Sequence, residues 1–412
     1  MTHPESVGFS AERLARIKTA VSPFIGPTQV AGAVTLLARR GQIVHLDTFG
    51  YQERETETPM TADSIFRIYS MTKPITCVAA MMLFEQGHFQ LIDPVAKFIP
   101  AFAKLKVYAG GEGDSIRLEP LASPVTIQQL FTHTSGLTYH FTEYGPIEQM
   151  YRDNAIFSAK PLKALVGDAL QLPLAFQPGT KWRYSMGHDV LAHLVEVISG
   201  KSFDDFLQEH LFAPLGMVDT GFYVPEGKNG RFTTMYGSRS IDIPQTSLTN
   251  WFGDAMAGIN QRLEGAANSR QSQPHNFLSG GHGLVSTAMD YWRFCQMLLN
   301  HGELDGNRIL GRKTVELMRV NHVPASLLPY EIGNIPSPGQ GFGLGMRVLQ
   351  DVGLAAIPGS VGDYGWAGAA NTYFWIDPVE EMVGIFMSQY QPSGLIPASA
   401  AFRIAAYQAI VD

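Results

Sequence analysis

Ser70-Met71-Thr72-Lys73-Pro74-Ile75-Thr76-Cys77 opens a largely apolar run that continues to Gly87. The composition of 71–87 predicts a helix, with Gly87 as its C-cap and Ser70 at its start. On such a helix Lys73 lies one turn beyond Ser70, on the same face. The hydroxyl and the amine can then meet. A serine hydroxyl is a poor nucleophile until a base takes its proton. Lysine serves as that base only when its pKa falls from about 10.4. Desolvation and the positive end of the helix dipole both push it down, and Ile68, Met71, Ile75 and Cys77 supply apolar surroundings. Alone, the spacing is weak: about one Ser-x-x-Lys match is expected by chance in a chain of this composition. A helix-start serine followed by a surface lysine would read the same way.

Upstream, β-rich runs at about 30–38 and 42–50 flank Arg40-Gly41, which reads as a hairpin. Before them, Phe9, Leu14, Ile17, Val21 and Phe24 fall near helical spacing and predict an amphipathic helix over 9–24. Downstream, helical stretches at roughly 126–132, 160–171, 188–199 and 202–212 alternate with Pro/Gly-rich connections. Residues 224–283 are polar and weakly periodic, which reads as a long functional loop set or a partly mobile segment. A helix follows at about 287–300, strand-like runs at 343–350, 370–377 and 381–389, and a last helix at about 395–410. β-rich sequence therefore sits at both ends and helical sequence between them. The pattern predicts an α+β fold. In it, 1–91 together with 276–412 form a domain with an antiparallel sheet flanked by helices. Residues 92–275 form a mostly helical inserted domain with long loops over the cleft. Chain-adjacent hairpins at both ends argue against a doubly wound parallel sheet.

Composition narrows the function. The chain has 412 residues, 45% apolar and 16% charged, with a net charge of −7 and no basic cluster. That balance argues against nucleic acid and anionic membranes as partners. No run of about 18 apolar residues suggests a membrane span, and the first residues show no basic-then-apolar signal, so the cytoplasm is the default compartment. Cys77 and Cys295 lie in apolar helical patterns and read as free buried thiols.

Two further stretches join the Ser70 motif. Pro178-Gly179 marks a turn, and Tyr184-Ser185 precede a helix that begins near His188. A tyrosine at such a junction can point its phenol outward and relay a proton, although alone it would pass for a packing aromatic. Trp366-Ala367-Gly368-Ala369 comes just before a strand at 371–376. Its small residues let a ligand approach the backbone closely, and an N–H there could hold a developing oxyanion with that of Ser70.

Together, in this order, the three motifs resemble the family of class C β-lactamases, penicillin-binding D-Ala-D-Ala carboxypeptidases and family VIII carboxylesterases, with the esterases nearest in pattern. The resemblance extends to Leu130-Phe131-Thr132-His133-Thr134-Ser135-Gly136-Leu137, to Gly280-Gly281-His282-Gly283-Leu284 and to Gly341-Phe342-Gly343-Leu344-Gly345. It implies a β-lactamase/transpeptidase-like fold with the site between the sheet domain and the helical one. It further implies Ser70 as the acylated nucleophile, Lys73 and Tyr184 as its proton-handling partners, and the N–H groups of Ser70 and Ala369 as the oxyanion hole. Which of Lys73 and Tyr184 is the base stays open.

Two departures from the family pattern bear on substrate. Tyr184-Ser185-Met186 stands where β-lactamases carry Tyr-x-Asn, and Trp366-Ala367-Gly368 where they carry Lys-Thr-Gly. A buried anion without its cationic partner costs several kcal/mol, so penicillin-like acids should bind poorly. The esterase branch resembles this pattern. The expected activity is a serine carboxylesterase acting on a short-chain or neutral small-molecule ester, with Trp366, Gly368, Met186 and Tyr139 contacting substrate. Acyl transfer to an alcohol is the main rival, followed by weak β-lactam or amide hydrolysis and a catalytically dead binding protein. His133 reads as a core or turn residue, and His282 as a packed or surface one. No Gly-x-Ser-x-Gly elbow and no clustered Cys/His ligands occur, so neither an α/β-hydrolase nor a metal or other cofactor is implied. The sequence leaves the oligomeric state open.

Overall fold

The computed structural model describes residues 2–143, 145–242 and 247–412. Eight strands form one antiparallel sheet: β1 (Gly32–Arg39), β2 (Gln42–Glu53), β3 (Thr58–Pro59), β4 (Gln340–Phe342), β5 (Arg347–Leu349), β6 (Tyr364–Gly368), β7 (Thr372–Asp377) and β8 (Met382–Ser388). Their spatial order is β4-β5-β6-β7-β8-β1-β2-β3, so the two ends of the chain meet where β8 pairs with β1. Arg40 and Gly41 both adopt left-handed backbone, at φ 52° and 72°, as a two-residue hairpin turn between right-twisted strands requires.

The helices that place the site are α1 (Arg16–Val21), α2 (Thr72–Glu85), α3 (Gly187–Ser199), α4 (Leu248–Met256), α5 (Ala288–Leu299) and α6 (Ala398–Tyr407). The central strands β7, β8 and β1 are buried on both faces, and their residues sort with a period of two. Leu37, Trp375, Met382 and Phe386 pack under α1 and α6 through Ile17, Val21 and Phe402. Leu36, Phe374, Ile376, Val383 and Ile385 face the larger core that holds α2 and α5. Helix α2 is buried on nearly every side and packs against α3.

Three expectations are corrected. The helix over 9–24 is two short helices, Ala11–Leu14 and α1, closed by a 3-10 turn at Ser22–Phe24, where Pro23 cannot continue the helical ladder. The run 343–350 is not one strand. Gly343–Gly345 form a turn between β4 and β5, and Gly345 at φ 91° lies so close to α2 that a Cβ would stand 2.3 Å from Cys77 Sγ. Trp366-Ala367-Gly368 does not merely precede a strand but belongs to one, β6, paired along β7.

The polar segment 224–283 is built of short elements, apart from 243–246, which lie outside the described residues. Its strands Met235–Gly237 and Gln261–Glu264 make a small sheet with Tyr390–Gln391, just beyond β8. Among the described residues no helix is long and apolar enough to cross a membrane.

Candidate active site

Two short strands, Phe66–Arg67 and Val285–Ser286, pair and deliver the chain to a 3-10 turn at Tyr69–Met71 that runs into α2. Tyr69 has φ 42°, a conformation that costs a bulky residue about 1 kcal/mol or more. Burial beside Met235 and Trp251 holds it there, as does its hydroxyl, which donates to Asp242 Oδ2 at 3.1 Å. Ser70 is the next residue and stays partly exposed.

Lys73 follows one helical turn later. Its Nζ donates to Ser70 Oγ at 3.3 Å and to the Gly281 carbonyl at 2.8 Å. The side chain is 1% exposed. That burial pushes its pKa down to about 7, against the opposing pull of Asp189. Nζ also sits 4.5 Å from the ring centre of Tyr184 and 5.2 Å from that of Tyr139.

Tyr184 enters from the loop before α3. Its hydroxyl accepts Trp366 Nε1–H at 3.3 Å, and the side chain lines the same cavity as Ser70. Burial raises the phenol pKa well above its usual value, so the group stays protonated. His133 is buried behind this loop. Its ring centre lies 4.6 Å from that of Tyr184, and its Nδ1 accepts the Ser185 N–H at 3.1 Å. It braces the loop from outside the cleft.

The third wall is β6. Strand β5 pairs only with Tyr364 and Gly365, which leaves Trp366–Gly368 as an edge over the site. A Cβ on Gly368 would stand 2.5 Å from the Ile68 carbonyl oxygen, so only glycine lets the strand close against the turn that carries Ser70. Trp366 packs edge-on against Phe342 at 5.1 Å.

Two cavities meet at Ser70. The larger, of about 290 Å³, is lined by Ser70, Tyr184, Trp366, Gly368 and Ala369, and by apolar groups such as Phe141, Leu248, Trp251 and Tyr330. Its one charged side chain among the described residues is Arg347, whose guanidinium is held by Asp363 Oδ1 at 2.7 Å and the Tyr373 hydroxyl at 2.8 Å. The smaller, of about 30 Å³, is lined by Ser70, Lys73, Tyr139, Asp242, His282 and Ala369 among others.

The structure thus gathers Ser70, Lys73, Tyr184, Trp366, Gly368 and Ala369. Tyr139 is placed beneath Lys73, on the smaller chamber and not the larger. Met186 is not brought to either: it lies at the start of α3, fully buried in the central core. His282, expected as a packed or surface residue, stands on the chamber wall.

Asp189 escaped the sequence reading altogether. It is buried, and it accepts the Ser279 hydroxyl at 2.5 Å and the Gly281 N–H at 3.2 Å. It therefore fixes the turn whose carbonyl receives Lys73. A lone carboxylate amid the apolar positions that open α3, five residues after Tyr184, was the available signal. Among the described residues no group of three or more His, Cys, Asp or Glu side chains could hold a metal ion.

An antiparallel sheet flanked by helices, with a serine at a buried helix start and a lysine one turn on, defines the β-lactamase/transpeptidase-like class of fold. The chain belongs to the β-lactamase family, whose sequence profile matches residues 17–409. Protein Rv1367c of Mycobacterium tuberculosis is similar to it at 34% identity, over 90% of this chain and 89% of the relative. Esterase EstB of Burkholderia gladioli is 28% identical over 97% of this chain and 96% of its own. Among solved structures, EstCE1, described as a hydrolase with promiscuous acyltransferase activity, superposes with a TM-score of 0.78 at 26% identity. That match covers 96% of this chain and 99% of EstCE1.

Proposed function

We propose that the protein hydrolyses neutral, largely apolar esters through an acyl-enzyme on Ser70. The observation that carries this reading is the buried Lys73 amine, 3.3 Å from Ser70 Oγ and with a pKa near 7. Half of such amines are neutral at pH 7 and able to accept the Ser70 proton, whereas the Tyr184 phenol is held protonated. Lys73 is therefore the base of acylation. Tyr184, whose ring centre lies 4.5 Å from Lys73 Nζ, gives its proton to the leaving alkoxide and regains the one Lys73 took from Ser70, so the amine ends neutral. The N–H groups of Ser70 and Ala369 receive the oxyanion. The apolar lining of the larger cavity, and the pairing of Arg347 with Asp363, favour uncharged acyl and alcohol groups over carboxylates.

Transfer of the acyl group to an alcohol is the second reading, supported by the description of EstCE1. The test is incubation with p-nitrophenyl esters of graded chain length, with and without added alcohols, followed by peptide mass spectrometry of the quenched protein. An acyl adduct on Ser70, absent in Ser70→Ala, is expected. Turnover without any Ser70 adduct would defeat the proposal.

A further inference from the structure

The smaller chamber lies beside Ser70 and shares Phe141 and Ile241 with the larger cavity, and its hydrogen bonds fix how His282 faces it. The Ser279 hydroxyl donates its one hydrogen to Asp189 Oδ1 at 2.5 Å. Ser279 Oγ can then only accept, and it does so from the backbone N–H groups of Gly281 and His282 at 3.3 and 3.2 Å. His282 Nδ1, 2.9 Å from the same oxygen, must therefore carry a hydrogen. That leaves Nε2 with a bare lone pair. Nε2 lies 3.9 Å from Asp242 Oδ1, while the other oxygen of Asp242 accepts the Tyr69 hydroxyl. Two acceptors at 3.9 Å do not bond to each other. They are spaced as one water molecule spans them, giving a hydrogen to each over about 2.8 Å. The chamber of about 30 Å³ exceeds the ~10–15 Å³ one water needs.

We infer that this chamber seats the hydrolytic water and that His282 is the base of deacylation, an inference that rests on the acyl-enzyme reading above. With both hydrogens turned to His282 and Asp242, the water's lone pairs are free to attack. Its oxygen bonds to the acyl carbonyl carbon as one proton moves to Nε2. The carbonyl π pair becomes the oxyanion. On collapse the bond from carbon to Ser70 Oγ breaks, and the proton returns from Nε2 through the Lys73 amine to Oγ. The acid leaves and the enzyme is restored. Esters need only the larger cavity to acylate Ser70, so the chamber decides whether water or an alcohol takes the acyl group.

His282→Phe keeps the ring contacts with Phe157 and Phe277 and removes the lone pair. Asp242→Asn replaces one acceptor oxygen with a donor and keeps the other to receive the Tyr69 hydroxyl. Rapid-quench measurement with a p-nitrophenyl ester should show a first p-nitrophenol release within about twofold of wild type in both variants. Decay of acyl-Ser70 should slow by about a hundredfold in His282→Phe, within the usual span for a lost acid–base group, and by about tenfold in Asp242→Asn. The adduct should accumulate, and added methanol should divert a larger share of it to methyl ester. If His282→Phe does not fold, Asp242→Asn carries the test. Decay within about threefold of wild type, or an unchanged methanol share, overturns the role of His282 while the acyl-enzyme stands. Absence of the adduct from the wild type removes both.

Discussion

Acid should switch the enzyme off through Lys73. A base must be unprotonated to act, and burial sets this amine's pKa at about 7. Below that value the native protein holds an ammonium that cannot take the Ser70 proton. The neutral fraction falls from about one half at pH 7 to about one tenth at pH 6 and about one hundredth at pH 5. The acylation rate should follow, with unit slope on a logarithmic plot. The structure also says which way the limb moves. Asp189 is the carboxylate that opposes Lys73's depressed pKa, so Asp189→Asn removes a charge that favours the ammonium and should shift the acid limb to lower pH. The amide oxygen can still accept from Ser279 and Gly281, which keeps the turn in place. The assay is the burst rate of p-nitrophenol release between pH 5 and 8.5, for wild type and variant, in one buffer series at constant ionic strength. A flat profile across that range, or a limb that moves upward in Asp189→Asn, would refute Lys73 as the acylation base.

Tyr184→Phe should slow acylation by roughly two to four powers of ten and leave the melting temperature within a few degrees, since only one buried hydroxyl is lost; a near-normal burst rate would remove Tyr184 from proton transfer. Trp366→Lys should raise the ratio of kcat/KM for a carboxylate-bearing ester over that for its methyl ester, by up to about fivefold for a solvent-exposed pairing. An unchanged ratio would mean that Trp366 does not meet the substrate. Gly368→Val should cut the burst rate at least a hundredfold, because its Cβ would stand 2.5 Å from the Ile68 oxygen and push the Ser70 turn away; wild-type rates would contradict that contact. Lys73→Met should raise the melting temperature. In wild type the burial penalty is complete below pH 7 and fades as pH rises toward about 10.4, where the unfolded lysine also loses its proton. The gain should therefore be larger at pH 6 than at pH 9, as read by calorimetry at both.

The hairpin at Arg40-Gly41 and the helix after Ser70 were legible because each is a local event: a left-handed pair between β-rich runs, and an apolar run with a cap. Strand β6 was not recognised, since Gly365, Ala367 and Gly368 carry little strand preference of their own. Its pairing with β7, some four residues on, decides the matter. Ser70, Lys73, Tyr184 and the β6 edge could be named from motif order, and the structure brings them together. The roles of Asp189, Asp242 and His282 could not, because they lie in contacts between residues 40 to 173 positions apart. Met186 was misplaced for a related reason. Adjacency to Tyr184 in sequence says nothing of direction, and at the start of α3 its thioether turns to the core while the phenol two residues earlier turns to the cleft.

The larger cavity draws much of its apolar wall from segments that hold none of Ser70, Lys73 or Tyr184, among them α4 through Leu248 and Phe252, and the stretch from Tyr330 to Ile335. Drift at those positions changes which acyl and alcohol groups fit while the proton-handling atoms keep their places. A lineage built this way diversifies by remodelling its vestibule, and a laboratory library confined to Leu248, Phe252, Tyr330, Ile332 and Ile335 would sample new selectivities without first having to rebuild a reaction.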